Sequence, residues 1–372
     1  MRSLRHLSGK VGMLMLLSLL GISSTEAKQA FRQALPGYRF FFPRDHASHP
    51  DFKTEWWYYS GHLRTEEGLR FGYQLTFFRL GVGPSLRGDS RSRWAARDLY
   101  LAHFAISDLQ QRRFLYWERR SRGALGSAGA SIETFKVWNG NWAADGDGKA
   151  HHLSASVDGH VIDLTLAPTK PPAIHGKNGV SQKAEGVGRA SHYYSLSRMA
   201  TEGTLTYAGK ARKVTGSSWM DHEFGSNQLT ASQVGWDWIA LQLEDGTELM
   251  FYRLRQRDGK PDAHSSGSLI HPEGRVEYLP LSAFRLEPQE TWQSPKSGGR
   301  YPIRWRVQVP APRIDLTVQA AFPDQELDTK GSTQIIYWEG SVAVTGTANG
   351  RPISGVGYLE MTGYADAFRQ PL

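Results

Sequence analysis

Cysteine is absent from the 372 residues. That absence excludes a disulfide framework, a thiolate metal site, a cysteine nucleophile and an N-terminal lipid anchor. Long helical periodicity is missing as well, apart from the first residues. Charge of one sign is not concentrated anywhere. The formal net charge of +8 falls to +6 once Arg2, Arg5, Lys10 and Glu26 are set aside. The remaining charges are interspersed, which describes a solvated surface, and no basic cluster carries interleaved aromatics. A nucleic-acid partner is therefore not expected.

The first residues form a unit of their own. Arg2, Arg5 and Lys10 precede the uncharged run Val11–Ile22, and Thr25-Glu26-Ala27 follows. A basic start, an apolar stretch of this length and small residues before the break predict a cleaved signal peptide over residues 1–27. The apolar run is shorter than the roughly 20 residues a spanning helix needs. The expected location is periplasmic or secreted. About 345 mature residues suggest two domains, each able to bury its own core.

What the chain does contain is strand after strand. Trp56 to Leu63, the turn-like Thr65-Glu66-Glu67-Gly68 and Leu69 to Leu80 make a hairpin signal. The pattern returns at Trp236 to Leu243, Glu244-Asp245-Gly246 and Thr247 to Leu254. Trp56-Trp57-Tyr58 matches Trp236-Asp237-Trp238, and Phe77-Phe78-Arg79-Leu80 matches Phe251-Tyr252-Arg253-Leu254. The ends match too, so that Trp219-Met220-Asp221 aligns with Tyr358-Leu359-Glu360. Repetition at domain size predicts a duplicated all-β protein of two antiparallel barrels, residues 28–228 and 229–372. Two connections, residues 79–96 and 168–188, are rich in Gly or Pro and are candidate lids.

Chemistry is most readable where charges sit among aromatics. Three segments qualify: Asp45-His46-Ala47-Ser48-His49 running on to Glu55-Trp56-Trp57-Tyr58-Tyr59, His192-Tyr193-Tyr194-Ser195, and Trp219-Met220-Asp221-His222-Glu223. A carboxyl in apolar surroundings holds its proton longer and becomes a usable acid near neutral pH. Strict strand alternation puts Asp221 and Glu223 on one face and His222 on the other. Plainer readings stand beside this one: a buried polar network for Asp221-His222-Glu223, and core packing for Glu55-Trp56-Trp57. His46 and His49 with Asp45 form only a weak ligand pattern, and no metal or cofactor is expected. Ser217-Ser218 lack a nucleophile elbow.

These segments, with the terminal Gly357-Tyr358-Leu359-Glu360-Met361-Thr362-Gly363-Tyr364, resemble the AttH-like/carotenoid hydratase family, also called the hydroxyneurosporene synthase family. The resemblance runs over essentially the whole mature chain. It implies two lipocalin-like barrels packed side by side and a site for an apolar, isoprenoid-like small molecule. It also implies acid-assisted hydration or isomerisation of an alkene, a hydro-lyase type of reaction. For that chemistry Asp221 is the expected acid, with Glu223, Glu55 and His222 as its partners. Trp56, Trp57, Tyr59, His46, Tyr194 and Trp219 are the expected ligand-binding residues, with the rings of Trp56, Trp57 and Trp219 available to a cation. The alternative is a non-catalytic carrier that passes lipid-like cargo to a membrane transporter. The leader peptide separates this chain from the carotenoid enzymes of the family.

Overall fold

The computed structural model describes residues 31–82, 98–227 and 229–367. The expected leader and most of the candidate lid over residues 79–96 lie outside the described residues. Within them the chain is built of strands and two short 3-10 turns. Among the described residues no helix is long and apolar enough to cross a membrane.

The first sheet contains β1 (Thr54–Thr65), β2 (Arg70–Gly81), β3 (Asp98–Asp108), β4 (Arg113–Arg122), β5 (Ala128–Ala130), β6 (Lys136–Asn139), β7 (Trp142–Gly146), β8 (His151–Val157), β9 (His160–Pro168), β10 (Ala173–Ile174), β11 (Ser181–Gln182), β12 (Ala190–Tyr207) and β13 (Lys210–Gly225). The second contains β14 (Gln233–Leu243), β15 (Glu248–Gln256), β16 (Ser266–Ile270), β17 (Val276–Pro280), β18 (Arg285–Gln293), β19 (Arg300–Val309), β20 (Ile314–Ala320), β21 (Glu326–Asp328), β22 (Ile336–Ala348) and β23 (Arg351–Thr362). The first is a nearly closed barrel, in the order β4-β3-β2-β1-β13-β12-β9-β8-β7-β6-β5. The second, β17-β16-β15-β14-β23-β22-β20-β19-β18, is a half-barrel. In each, the opening hairpin lies beside the closing one: β1 pairs β13, and β14 pairs β23.

The matched sequence signals produce matched turns. Thr65 N donates to Leu69 O and Gly68 N to Thr65 O, while Leu243 N donates to Thr247 O and Gly246 N to Leu243 O. Both glycines sit at φ near +84°, where a side chain is strained. The seam of the first barrel is drawn together by side chains rather than a ladder. Ser121 Oγ donates to Asn139 Oδ1 at 2.7 Å, and Asn139 Nδ2 to Tyr100 O at 3.2 Å.

Inside the first barrel lies a packed core that includes Trp57, Tyr59, Phe104, Trp142 and Leu153. A second core, with Ile239, Trp305 and Trp338, fills the half-barrel. Each such side chain contributes roughly 1.5–3 kcal/mol on burial. The outer faces of β1, β13, β14 and β23 do not meet water. They meet each other through a third cluster, in which Tyr58, Tyr193 and Trp219 of the first sheet pack with Trp238, Tyr252 and Tyr358 of the second. Gly72 permits part of this approach, since a Cβ there would lie 2.5 Å from Tyr358 Oη. The Glu248 carboxylate, fully buried, is gripped from the first sheet by Lys170 Nζ at 2.6 Å and Arg198 Nε at 2.5 Å.

Candidate active site between the two sheets

Packing two twisted sheets face to face leaves room where their aromatic side chains splay. A cavity of about 340 Å³ opens there, walled by Trp56, Phe78, Trp236, Trp238, Tyr252 and several leucines. Into it point Asp221, Glu223, Glu339 and Glu360, together with Lys183. The alternation expected for β13 holds: Asp221 and Glu223 face this cavity, and His222 faces the interior of the first barrel.

Asp221 is held by donors on both oxygens. Ser195 Oγ donates to Oδ1, Trp219 Nε1 donates to Oδ1 at 2.6 Å, and Tyr193 Oη donates to Oδ2 at 2.8 Å. Trp238 Nε1 in turn donates to Tyr193 Oη at 3.1 Å, so the second sheet reaches the acid through one phenol. Burial pushes the Asp221 carboxyl up; the three donors oppose it, the Glu223 charge assists, and the outcome is about 7. Burial likewise lifts Glu360 to about 7, against a hydrogen bond from Trp236 and with help from the charges of Asp221 and Glu223. Glu339, the cross-strand partner of Glu360, is raised well above the usual carboxylate range by burial and by Glu360. Glu223 is tied down differently: Lys183 Nζ lies 3.1 Å from it and Ser191 Oγ donates to it. Burial works against the Lys183 cation, but the Glu223 carboxylate outweighs it and keeps the ammonium charged. Lys183 also sits 3.9 Å from the centroid of the Tyr252 ring.

Behind Asp221 runs a chain of hydrogen bonds across the sheets. Because Ser195 donates to Asp221, His175 Nε2 at 2.6 Å from Ser195 Oγ is the donor of that pair, and Nδ1 accepts from Ser268 Oγ at 2.8 Å. Burial, with the Lys183 charge nearby, pushes His175 down to about 3, so the imidazole is neutral and can hold this arrangement. His175 and Lys183 both come from the second candidate lid, residues 168–188. That segment is pinned to β12 by β10 and β11 and walls the cavity.

The other expected site residues lie elsewhere. Glu55, His222, His46, Trp57, Tyr59 and Tyr194 gather in the first barrel, on the far side of β1, β12 and β13 from the cavity. Their separation from Asp221 follows from period-two alternation. Glu55, fully buried, accepts from Arg79 Nε at 3.0 Å and Ser48 Oγ at 2.8 Å, and lies 2.9 Å from both His49 Nδ1 and His222 Nε2. Burial would raise its pKa, but His222, His49 and Arg79 hold it well below the usual range. His46 Nδ1 lies 2.6 Å from Tyr194 Oη, and Tyr59 Oη lies 2.9 Å from His151 Nδ1. His49, Glu55 and His222 bring ligand-type atoms within 4.8 Å of one another. Every oxygen of that glutamate is already engaged by donors, so this is a self-satisfied network that fixes the start of β1. Trp219 stays with Asp221 as a hydrogen-bond donor, and Trp56 walls the cavity.

Two antiparallel sheets, one nearly closed and one half open, packed around a shared cavity, define a lipocalin-like protein. The chain belongs to the AttH-like family, whose model matches residues 33–364. It is similar to the crystal structure of an AttH protein from Nitrosomonas europaea, with a TM-score of 0.81 and 30% identity over 90% of this chain and 100% of that one. Kievitone hydratase from Nectria haematococca has the same fold at a TM-score of 0.68 and 16% identity, over 91% of this chain and 98% of that one. CghA, solved with Sch210972, follows at 0.50 and 13%, over 90% and 96%. No curated protein matches the sequence.

Proposed function

We propose that the protein binds an apolar, alkene-bearing small molecule between its sheets and catalyses hydration or isomerisation of the double bond. The observation that carries this reading is Asp221, buried in an aromatic cavity and poised at about 7, where it can donate a proton. The Asp221 O–H bond breaks and a C–H bond forms at one alkene carbon. Trp56, Trp236 and Trp238 offer ring faces to the carbocation left at the other. In hydration a water oxygen bonds to that carbon and its surplus proton returns to the Asp221 carboxylate or to Glu360. In isomerisation a neighbouring C–H proton leaves to the same bases. The name of kievitone hydratase supports the hydration branch. The leader expected over residues 1–27 supports a periplasmic or secreted setting for this reaction.

The test is incubation with farnesol in deuterated water, reading deuterium on carbon and added oxygen by mass spectrometry. Label that appears with the native protein and disappears with Asp221→Asn supports the proposal. Binding without label in either protein refutes catalysis and leaves the carrier reading.

A further inference from the structure

Cations at the edge of an apolar interior are ordinarily paired, because an unpaired charge resists leaving water. Those near the cavity follow this: Lys183 pairs with Glu223, Arg79 with Glu55 and Asp98, and Arg198 with Glu248. Arg120 of β4 is the exception. It lines the cavity, is exposed to solvent, and has neither an ion pair nor a hydrogen bond among the described residues. Glu118, on the same face of β4, is already engaged by Gly331 N, Ser332 N and Ser332 Oγ. Strand register puts Arg120 at one end of a row. Its ladder partner is Leu101, followed by Phe78, Trp56 and Glu223. Cross-strand partners share a face, and all of these residues line the cavity. Asp221, buried, lies in the adjacent row of that face, opposite Tyr58. From Arg120 to Glu223 the row crosses four ladders, about 19 Å at roughly 4.8 Å per strand. The exposed cation therefore marks the mouth of the cavity, and the acid lies at its far end.

We propose that Arg120 binds the carboxylate of an amphipathic acid, whose apolar chain runs along Leu101, Phe78 and Trp56 and brings its double bond to Asp221. The inference rests on the proposed ligand cavity and names its substrate class, a long-chain unsaturated carboxylic acid. The guanidinium fork matches a carboxylate, two N–H groups donating to two oxygens. Charge in the lining favours one anion at that end. Lys183 neutralises Glu223, while burial keeps Glu339 protonated and lifts Asp221 and Glu360 to about 7. On the acid side of neutrality Arg120 is therefore the uncompensated charge among the described lining residues. A cationic head group would be repelled there, and a diphosphate would bring several negative charges to a single cation. The carboxylate stays at the wet mouth, and the chain is what leaves water. The length of the row also selects where the double bond lies. A bond next to the carboxylate cannot reach Asp221, and one well along the chain can.

Probes that share one chain and differ only at the head test this: oleate, methyl oleate and oleylamine, titrated by quenching of tryptophan fluorescence on the acid side of neutrality. The native protein is expected to bind oleate at least tenfold more tightly than either of the others. Arg120→Gln is expected to erase most of that preference and to leave methyl oleate binding within twofold. It should melt with the native protein, because the side chain it shortens has no partner. Arg120→Lys is expected to retain part of the preference, since the charge remains and the fork is lost. Arg122→Gln removes a neighbouring exposed arginine outside the cavity lining and is expected to retain all of it. Oleate bound no more tightly than its ester overturns the head-group assignment while the cavity reading survives. A preference that persists in Arg120→Gln does the same, because the anion then sits elsewhere. So does a preference lost equally in Arg122→Gln, which reports general surface charge. Binding of none of the three probes overturns the cavity reading and the head-group assignment with it.

Discussion

Replacing Asp221 by Asn separates the charge of this residue from its shape. The amide keeps the Oδ1 acceptor for Ser195 and Trp219 and can donate to Tyr193 Oη, so it imitates the protonated acid at every pH. In the native protein the carboxyl is raised from an ordinary 3.8 to about 7. Between those values the folded state holds a proton that the unfolded chain has lost, so native stability falls as pH rises and levels off above about 7. Full expression of that displacement makes Asn more stabilising than Asp by about 0.6 kcal/mol at pH 4 and roughly 4 kcal/mol at pH 8. Urea unfolding of both proteins from pH 4 to 8 measures it directly. The variant is expected to gain roughly 3–4 kcal/mol on the native protein across that range. Turnover is expected to vanish at every pH, because the amide has no proton to give. A stability difference that does not change with pH would refute the reasoning: Asp221 would then be ionised as in a peptide, and no acid.

Other perturbations should separate the cavity from the barrel interior. Glu223→Gln removes a like charge from beside Asp221 and leaves Lys183 uncompensated, so the alkaline limb of the activity profile should move to lower pH. His175→Leu breaks the Ser268–His175–Ser195–Asp221 chain and should lower stability by about 1–3 kcal/mol in denaturant titrations. Glu55→Gln removes one of the two carboxylates paired with the buried Arg79, Asp98 remaining 3.0 Å away, and should cost about 1–3 kcal/mol while sparing activity per folded molecule. Because Glu55 is held below its ordinary pKa, its contribution is present at neutral pH and lost on acidification, so this variant should also show a flatter acid limb of stability.

Much of this arrangement is written in the local sequence, and some of it is not. The hairpins around Gly68 and Gly246 are legible because a turn needing positive φ interrupts two aromatic, β-prone runs. That Asp221 and Glu223 share a face needs only the period of a strand. Which face lines the inter-sheet cavity is not legible, because the C-terminal half of β13 is buried on both sides and carries no polar alternation. Hence Trp57, Tyr59 and Tyr194 resemble cavity residues in sequence and turn out to be barrel core. Glu360 is visible through its alignment with Asp221 in the repeat, whereas Glu339 carries no such flag. His175 and Lys183 belong to an irregular segment where spacing says nothing about direction, and only tertiary contacts bring them to the acid.

That last segment has a meaning beyond the site it walls. Residues 169–189 supply the histidine behind the acid and the lysine beside Glu223, yet little of either large barrel core. The two sheets act as chassis, and this strap is a fitting clipped to one long strand and bolted to the second sheet through Lys170. Substitutions in this strap can therefore alter the cavity wall without touching either barrel core.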